Sequence, residues 1–225
     1  MSGPTPVTPV AANFYKDARP TWHQRRRHAA VRRLLRGRGG KLLDYGCGYG
    51  DLTYAVSRTF DVHGVDVDPE RVAFARREYA PLPFDVCPSN ELQFADGSFD
   101  VVLSVVVIHF TTDPVAHLRE ARRVLRPGGH LLLGFKEGSH VRDALRRVVG
   151  RPPAGSALWS VPRREMLEIV GGEGFELVAQ TFFYDPPGTS LKSAADVVVT
   201  GAELLLSLLR VQATAPYHVI LARKR

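Results

Sequence analysis

Cysteine is scarce in this chain of 225 residues: there are two, Cys47 and Cys87. Two thiols are too few for a disulfide scaffold or for a structural zinc site built from cysteine alone. Long apolar runs are missing too. The longest nearly uncharged stretch, VVVTGAELLLSLL at 197–209, is short and holds Glu203, so no membrane span is expected there. The opening MSGPTPVTPVAAN has neither a cationic start nor an apolar centre, and no secretory signal is read from it. Acids are rare at one end: residues 1–41 carry ten cations and one acid, Asp17, while the remainder carries 20 cations and 22 acids. The net charge of +7 and the pI near 9.7 therefore come from one segment, which weakens them as signs of a nucleic-acid-binding body. With 44% hydrophobic and 24% charged residues, the composition is that of a globular chain about one domain long, expected to be soluble and cytoplasmic.

Residues 1–13 read as a flexible leader, and 14–225 as one domain without repeats. From Asp17 to about Arg36 the chain is helix-prone, with Ala30, Val31, Leu34 and Leu35 on one stripe and arginines elsewhere. Gly-Arg-Gly-Gly at 37–40 ends it. Strands then alternate with helices: strands at 41–46, 61–67, 84–87, 99–108 and 130–135, and helices at 51–60, 69–79 and 113–125. That alternation predicts an α/β fold, a parallel sheet covered by helices on both faces. Beyond residue 135 the pattern changes, with helices predicted at 141–149, 163–171 and near 190–210, and strands at 175–184 and 217–224. His117, inside a predicted helix, is read as a surface residue.

The sharpest feature is LLDYGCGYGDLT at 42–53. A buried strand runs into Gly46, Gly48 and Gly50 and then into a helix. Glycines let the backbone turn tightly and approach a ligand closely, and the following helix start offers unpaired amides to a polar group. The spacing is G-x-G-x-G, not the G-x-G-x-x-G of a dinucleotide site. Asp44 precedes the glycines, and Asp66 ends the next strand, 20 residues after Gly46, where a carboxylate can accept both hydroxyls of a ribose.

LLDYGCGYG, GVDVDPE (64–70), FADGSFDVVLSVVVIHF (94–110) and RVLRPGGHLLL (123–133) together resemble the class I S-adenosylmethionine-dependent methyltransferases, in particular the small-molecule and quinone-type group. The resemblance implies a Rossmann-like, doubly wound, seven-stranded and mostly parallel sheet with an antiparallel last strand (YHVILARK), capped by an N-terminal helix over residues 14–40. It implies a cofactor-binding core at 41–135, acceptor-side elements at 136–225, and S-adenosylmethionine as cofactor, with S-adenosylhomocysteine as product. No metal is expected. Carried over by position, the cofactor residues are Asp44 near the ammonium, Gly46, Cys47, Gly48 and Gly50 along the methionine part, Asp66 and Val67 at the ribose and base, and Ser104 and Val105 at the end of the fourth strand. Arg19 is the candidate for the methionine carboxylate. One position departs from the family: Pro88 stands where an acid usually bonds the adenine amino group. Ser89, Asn90 or Glu91 are possible replacements, with Leu92 against the ring.

His109, just past the fourth strand, resembles the histidine often found near the acceptor, where it can serve as a base or only as a hydrogen-bonding group. His140 is a second candidate. Tyr15, Trp22, Trp159 and Tyr184 are candidate acceptor-pocket residues, since aromatics can line an apolar pocket and favour a sulfonium. The [DNS]-P-P-[YFW] motif of enzymes that methylate exocyclic amines or glutamine is absent, and DPPG at 185–188 reads as a turn. The expected activity is methyl transfer to a small, apolar or aromatic acceptor by a monomer or homodimer. The alternatives are an RNA methyltransferase using the basic N-terminal helix and a catalytically inert cofactor-binding module. The helix near 190–210 is either a lid or a dimer contact.

Overall fold

Strand β1 (Lys41–Tyr45) is buried at four of its five positions, because it lies inside a sheet covered on both sides. In the computed structural model, which describes residues 22–88, 91–136, 162–183 and 217–225, neighbouring residues of β1 enter opposite core layers. Leu42 packs with Val31, Leu34, Leu52 and Val56, while Leu43 packs with Leu118, Ala121, Val124 and Val170. The same alternation separates Val101 from Val102 and Leu132 from Leu131. It places helices α1 (Trp22–Leu34) and α2 (Asp51–Val56) on one face, and α4 (Pro114–Val124) and α5 (Arg163–Gly172) on the other. Ala30, Val31, Leu34 and Leu35 are all buried, as the apolar stripe predicted.

The seven strands are β1, β2 (Asp61–Asp66), β3 (Phe84–Val86), β4 (Phe99–Val105), β5 (Leu125–Lys136), β6 (Phe175–Phe183) and β7 (Tyr217–Lys224), in the order β3-β2-β1-β4-β5-β7-β6. β7 runs antiparallel to both of its neighbours, while the pairs from β3 through β5 are parallel. This is the mostly parallel sheet with an antiparallel last strand that the sequence led us to expect. The strand order reverses between β1 and β4, and in such sheets the crevice beyond the carboxyl ends of those strands is where ligands bind. α3 (Pro69–Glu78) and α4 start alike. Asp68 and Asp113 accept hydrogen bonds from backbone amides two or three residues on, and Pro69 and Pro114 open the first turns.

Three predicted boundaries shift. α2 ends at Val56 instead of residue 60. β4 ends at Val105 instead of residue 108, because Val106 takes a left-handed backbone (φ 65°) and turns the chain toward Gly134. The Arg-Pro-Gly-Gly stretch at 126–129 lies within β5, the sheet absorbing it as a register shift opposite Phe99 and Val101. Among the described residues, no helix is long and apolar enough to cross a membrane.

Candidate active site

The glycine loop leaves the end of β1 and is hung on β2: the amides of Gly46 and Cys47 both donate to the carbonyl of Val65, at 2.8 and 2.9 Å. All three glycines hold positive φ, but for different reasons. A Cβ at Gly46 would strike Val107, and one at Gly50 would lie 2.9 Å from both Ala75 and the Phe84 ring. A Cβ at Gly48 would meet nothing within 4 Å. Gly46 and Gly50 are glycines because the protein itself presses on them. Gly48 faces open space, where a ligand can lie against bare backbone.

Two carboxylates flank that space. Asp66 is buried at the end of β2, with Oδ2 accepting the Gly48 amide (2.8 Å) and Oδ1 accepting the Asp68 amide (3.0 Å). A carboxylate has about four acceptor sites, so two amides leave capacity for a pair of hydroxyls. Val67, next in sequence, is 64% exposed, and Val86 at the end of adjacent β3 is 40% exposed. An acid flanked by exposed valines suits a sugar diol with a flat ring beside it. Asp44 is buried deeper, and its Oδ2 accepts from the Thr53 hydroxyl at 2.6 Å. Burial pushes its carboxyl up to about 7, against the pull of that hydrogen bond. A ligand ammonium there would meet an acid poised to ionise. Burial, with Asp44 and Asp66 nearby, raises the Cys47 thiol far above its ordinary range, so Cys47 serves through its backbone and not as a nucleophile.

The segment after β4 carries His109. Its Nε2 lies 2.6 Å from the Lys136 amide. A backbone amide can only donate, so Nε2 supplies a lone pair and the ring proton sits on Nδ1. This geometry favours the hydrogen-bonding role of His109 over the base, since a proton taken at Nε2 requires breaking the Lys136 bond. Val105 is buried at the strand end. The Ser104 hydroxyl is fully buried and 2.8 Å from Nε2 of His117, so a cofactor contact from Ser104 falls to its backbone. His117 corrects an expectation. It is not a surface residue but is buried beneath the sheet, stacked on Tyr45 at 3.9 Å, and burial lowers its pKa to about 4. α4 turns His117 inward together with Leu118, Ala121 and Val124.

Past β3, the Cys87 amide donates to the Asp66 carbonyl (2.9 Å) and its thiol to the Glu91 carbonyl (3.5 Å). Glu91 is exposed. Leu92 is buried in the α4-side core, so its side chain belongs to the packing there and not to a ligand surface. Residues that sequence reasoning missed include Thr53, which holds Asp44, and Asp51, the first residue after the glycine loop. Asp51 joins Arg27 (2.7 Å) and His28 (2.9 Å) of α1. Burial opposes the charge of Asp51, but His28 and Arg27 outweigh it and keep the carboxyl below its ordinary value. α1 is thereby tied to the loop. Tyr15, Arg19, Asn90, His140, Trp159, Tyr184, the leader, and the helices expected at 141–149 and 190–210 lie outside the described residues, as does the side chain of Trp22.

Residues 43–133 match the model of the methyltransferase domain family. The ubiquinone biosynthesis O-methyltransferase of Cereibacter sphaeroides is 38% identical over 153 residues, covering 62% of this chain and 62% of that protein. The 27-O-demethylrifamycin SV methyltransferase of Amycolatopsis mediterranei is 36% identical over 104 residues, 43% of this chain and 38% of that one. The matches span between 30% and 62% of the lengths of these curated relatives and others like them. The crystal structure of the cyclase SpnF shares the fold, with a TM-score of 0.64 and 23% identity over 93% of this chain and 85% of that one. The domain match makes residues 43–133 a methyltransferase domain, and the sheet order and glycine loop are those of the class I S-adenosylmethionine-dependent type, whose cofactor is S-adenosylmethionine.

Proposed function

We propose that the chain transfers a methyl group from S-adenosylmethionine to a small, apolar or aromatic acceptor at oxygen, nitrogen or carbon. The observation that carries this reading is the pairing of Gly48 with Asp66: a left-handed glycine facing open space, whose amide orients a buried carboxylate with acceptor capacity to spare. When bound, the cofactor supplies a methyl group on a sulfonium, already a good leaving group. The protein's share is therefore alignment and exclusion of water. Gly46, Cys47, Gly48 and Gly50 back the methionine part through main chain, Asp44 faces its ammonium, and Asp66 holds the ribose with Val67 against the base. Val105 and the Ser104 backbone close the end of β4. His109, buried and accepting the Lys136 amide at Nε2, positions the acceptor-side segment, next to Phe110, which is 58% exposed. Arg19, Tyr15, Trp22, Trp159 and Tyr184 complete the proposal as carboxylate and acceptor contacts. Two relatives are named for methylation in ubiquinone biosynthesis and of a demethylrifamycin, small molecules in both cases.

A second reading, RNA methylation, draws on α1 and the residues after it, whose exposed positions include Arg25, Arg26, Arg32, Arg33 and Arg36. A third, a cofactor-binding module without transfer, draws on the shared fold of a cyclase. Incubation with methyl-labelled cofactor and fractionated cell extract separates them. Label in the small-molecule fraction is the expected result. Label in RNA, lost on replacing the exposed Arg25, Arg26, Arg32, Arg33 and Arg36 by Gln, supports the second reading. Cofactor binding with no labelled product in any fraction supports the third.

A further inference from the structure

Arg71 of α3 joins the two segments whose amides hold Asp66. The Asp66 carboxylate accepts the Gly48 amide on one oxygen and the Asp68 amide on the other, at 2.8 and 3.0 Å. Gly48 belongs to the glycine loop and Asp68 caps α3, so the orientation of the carboxylate depends on how these two stretches sit relative to each other. The Asp68 carboxylate in turn accepts the Arg71 amide at 3.3 Å and the Arg71 Nε at 3.1 Å. The Arg71 guanidinium also lies over the ring of Tyr49, the residue after Gly48, with Cζ 5.7 Å from the ring centre. Gly48, Tyr49, Arg71, Asp68 and Asp66 therefore form a closed ring of contacts. Phe74, three residues along α3, meets Tyr49 edge to face with ring centres 5.3 Å apart, and Arg77 lies over Phe74 at 5.5 Å. Residues three apart share a helix face, so Arg71 and Phe74 form one row against which Tyr49 docks, and Arg77 extends it.

The ring matters because backbone stiffness does not hold this part of the loop. Tyr49 stands between Gly48 and Gly50, both left-handed, and no described residue comes within 4 Å of where a Gly48 Cβ would lie. A glycine with open space beside it is held by its neighbours. On one side the Cys47 amide is tied to the Val65 carbonyl, and on the other the Tyr49 ring is tied to α3. We propose that Tyr49 and Arg71 are positioning residues for Asp66, keeping its two amide donors at the separation that turns the remaining acceptor capacity toward both hydroxyls of a ribose. The inference rests on S-adenosylmethionine being the ligand and on Asp66 meeting its ribose. The role requires neither residue to touch the ligand. Without Arg71 each amide still bonds to Asp66, but the carboxylate follows whichever segment moves, and two hydroxyls at a fixed separation are no longer both met. The share of binding that depends on having both hydroxyls is lost first.

Calorimetry with S-adenosylhomocysteine and its 2′-deoxyribose analogue measures that share. The wild type should prefer the ribose ligand by about tenfold or more, the worth of one hydrogen bond to a carboxylate. Arg71→Met and Tyr49→Ala should each cut the preference about two- to fivefold, the strength of a cation over a partly exposed ring. Tyr49→Phe, which keeps the ring, should keep the preference. The double variant Tyr49→Ala/Arg71→Met should lose no more than either single one, because both open the same ring of contacts. Thermal melts identify variants that fail to fold, and Arg71→Met, at a side chain 34% exposed, carries the test if Tyr49→Ala is lost. Full preference in Arg71→Met overturns the inference. Equal weakening of both ligands with the preference intact also overturns it, since that is what structural support of the loop alone produces. Additive losses in the double variant refute the shared ring. A wild type that binds both ligands alike removes the ribose from Asp66 and the inference with it, and one that binds neither removes the proposed function itself.

Discussion

Replacing Asp44 by Asn tests the electrostatics at the bottom of the site. The Asp44 carboxyl is buried beneath the glycine loop, and burial lifts it from 3.8 to about 7 despite the Thr53 hydrogen bond. The folded protein therefore holds a proton there at pH values where the unfolded chain has lost it. Stability then falls as pH rises from about 4 toward 7 and levels off above, because the unfolded state is the one that ionises freely. At 1.36 kcal/mol per pH unit, the full effect is about 4 kcal/mol, an upper figure because water entry and relaxation reduce it. Asn keeps the shape and can still accept the Thr53 hydroxyl, but it cannot ionise. Urea unfolding between pH 5 and pH 8.5 should show the wild type losing stability across this window relative to Asp44→Asn, which should be the more stable protein at pH 8. Cofactor binding should move the opposite way. A ligand ammonium favours ionised Asp44, so wild-type affinity should rise through pH 7, and Asp44→Asn should bind weakly at every pH. Parallel stability curves for the two proteins would refute the claim that Asp44 is protonated by burial.

Asp66→Ala should weaken S-adenosylhomocysteine binding at least tenfold by calorimetry, because a carboxylate bonded to two hydroxyls contributes on the order of 1.5–3 kcal/mol; unchanged affinity would remove Asp66 from the site. The glycines should separate by assay. Gly50→Ala forces a methyl against Ala75 and Phe84 and should cost several kcal/mol in urea unfolding, from overpacking as well as left-handed backbone. Gly48→Ala should cost only the backbone share, about 1–2 kcal/mol, while sharply reducing cofactor affinity. His109→Gln presents an acceptor to the Lys136 amide without a titratable group. Retained turnover with a flat pH profile would show that His109 acts by hydrogen bonding, and a large loss with unchanged cofactor affinity would show that the imidazole itself is required.

Much of the fold was legible because its signals are local. The apolar stripe of α1 and the glycines after β1 each lie within a few residues of the feature they determine. Pairings over long sequence distance were not. Asp44 with Thr53, Arg27 with Asp51, and Glu120 with Leu92 depend on which elements the sheet brings together. His117 is a different case, since a signal was present. It sits on the same face of α4 as Leu118, Ala121 and Val124, and Ser104 interrupts the apolar run from Val101 to Val105. Two polar residues at buried positions of neighbouring elements imply a pair, because either alone would be costly to bury. The early end of β4 gave no such sign: a run of valines reads as continuous strand, and only the fold reveals that Val106 turns left-handed.

That turn explains how the two halves of the site are kept in register. A β-branched residue at φ 65° costs about 1–2 kcal/mol and persists only where its surroundings over-determine it. Three ties do so here. The Val106 amide donates to the Gly134 carbonyl, the Lys136 amide donates to His109, and the Val107 side chain occupies the space that a Cβ on Gly46 would need. The last contact joins the loops directly, since the first glycine of the cofactor loop is the seat of the segment that carries His109 and Phe110. A side chain at 46 would displace the acceptor-side segment as surely as it would distort the cofactor loop. The bare Cα of Gly46 therefore sets the position of the segment that carries His109 as well as the course of its own loop, and the Val106 turn brings Val107 down onto it.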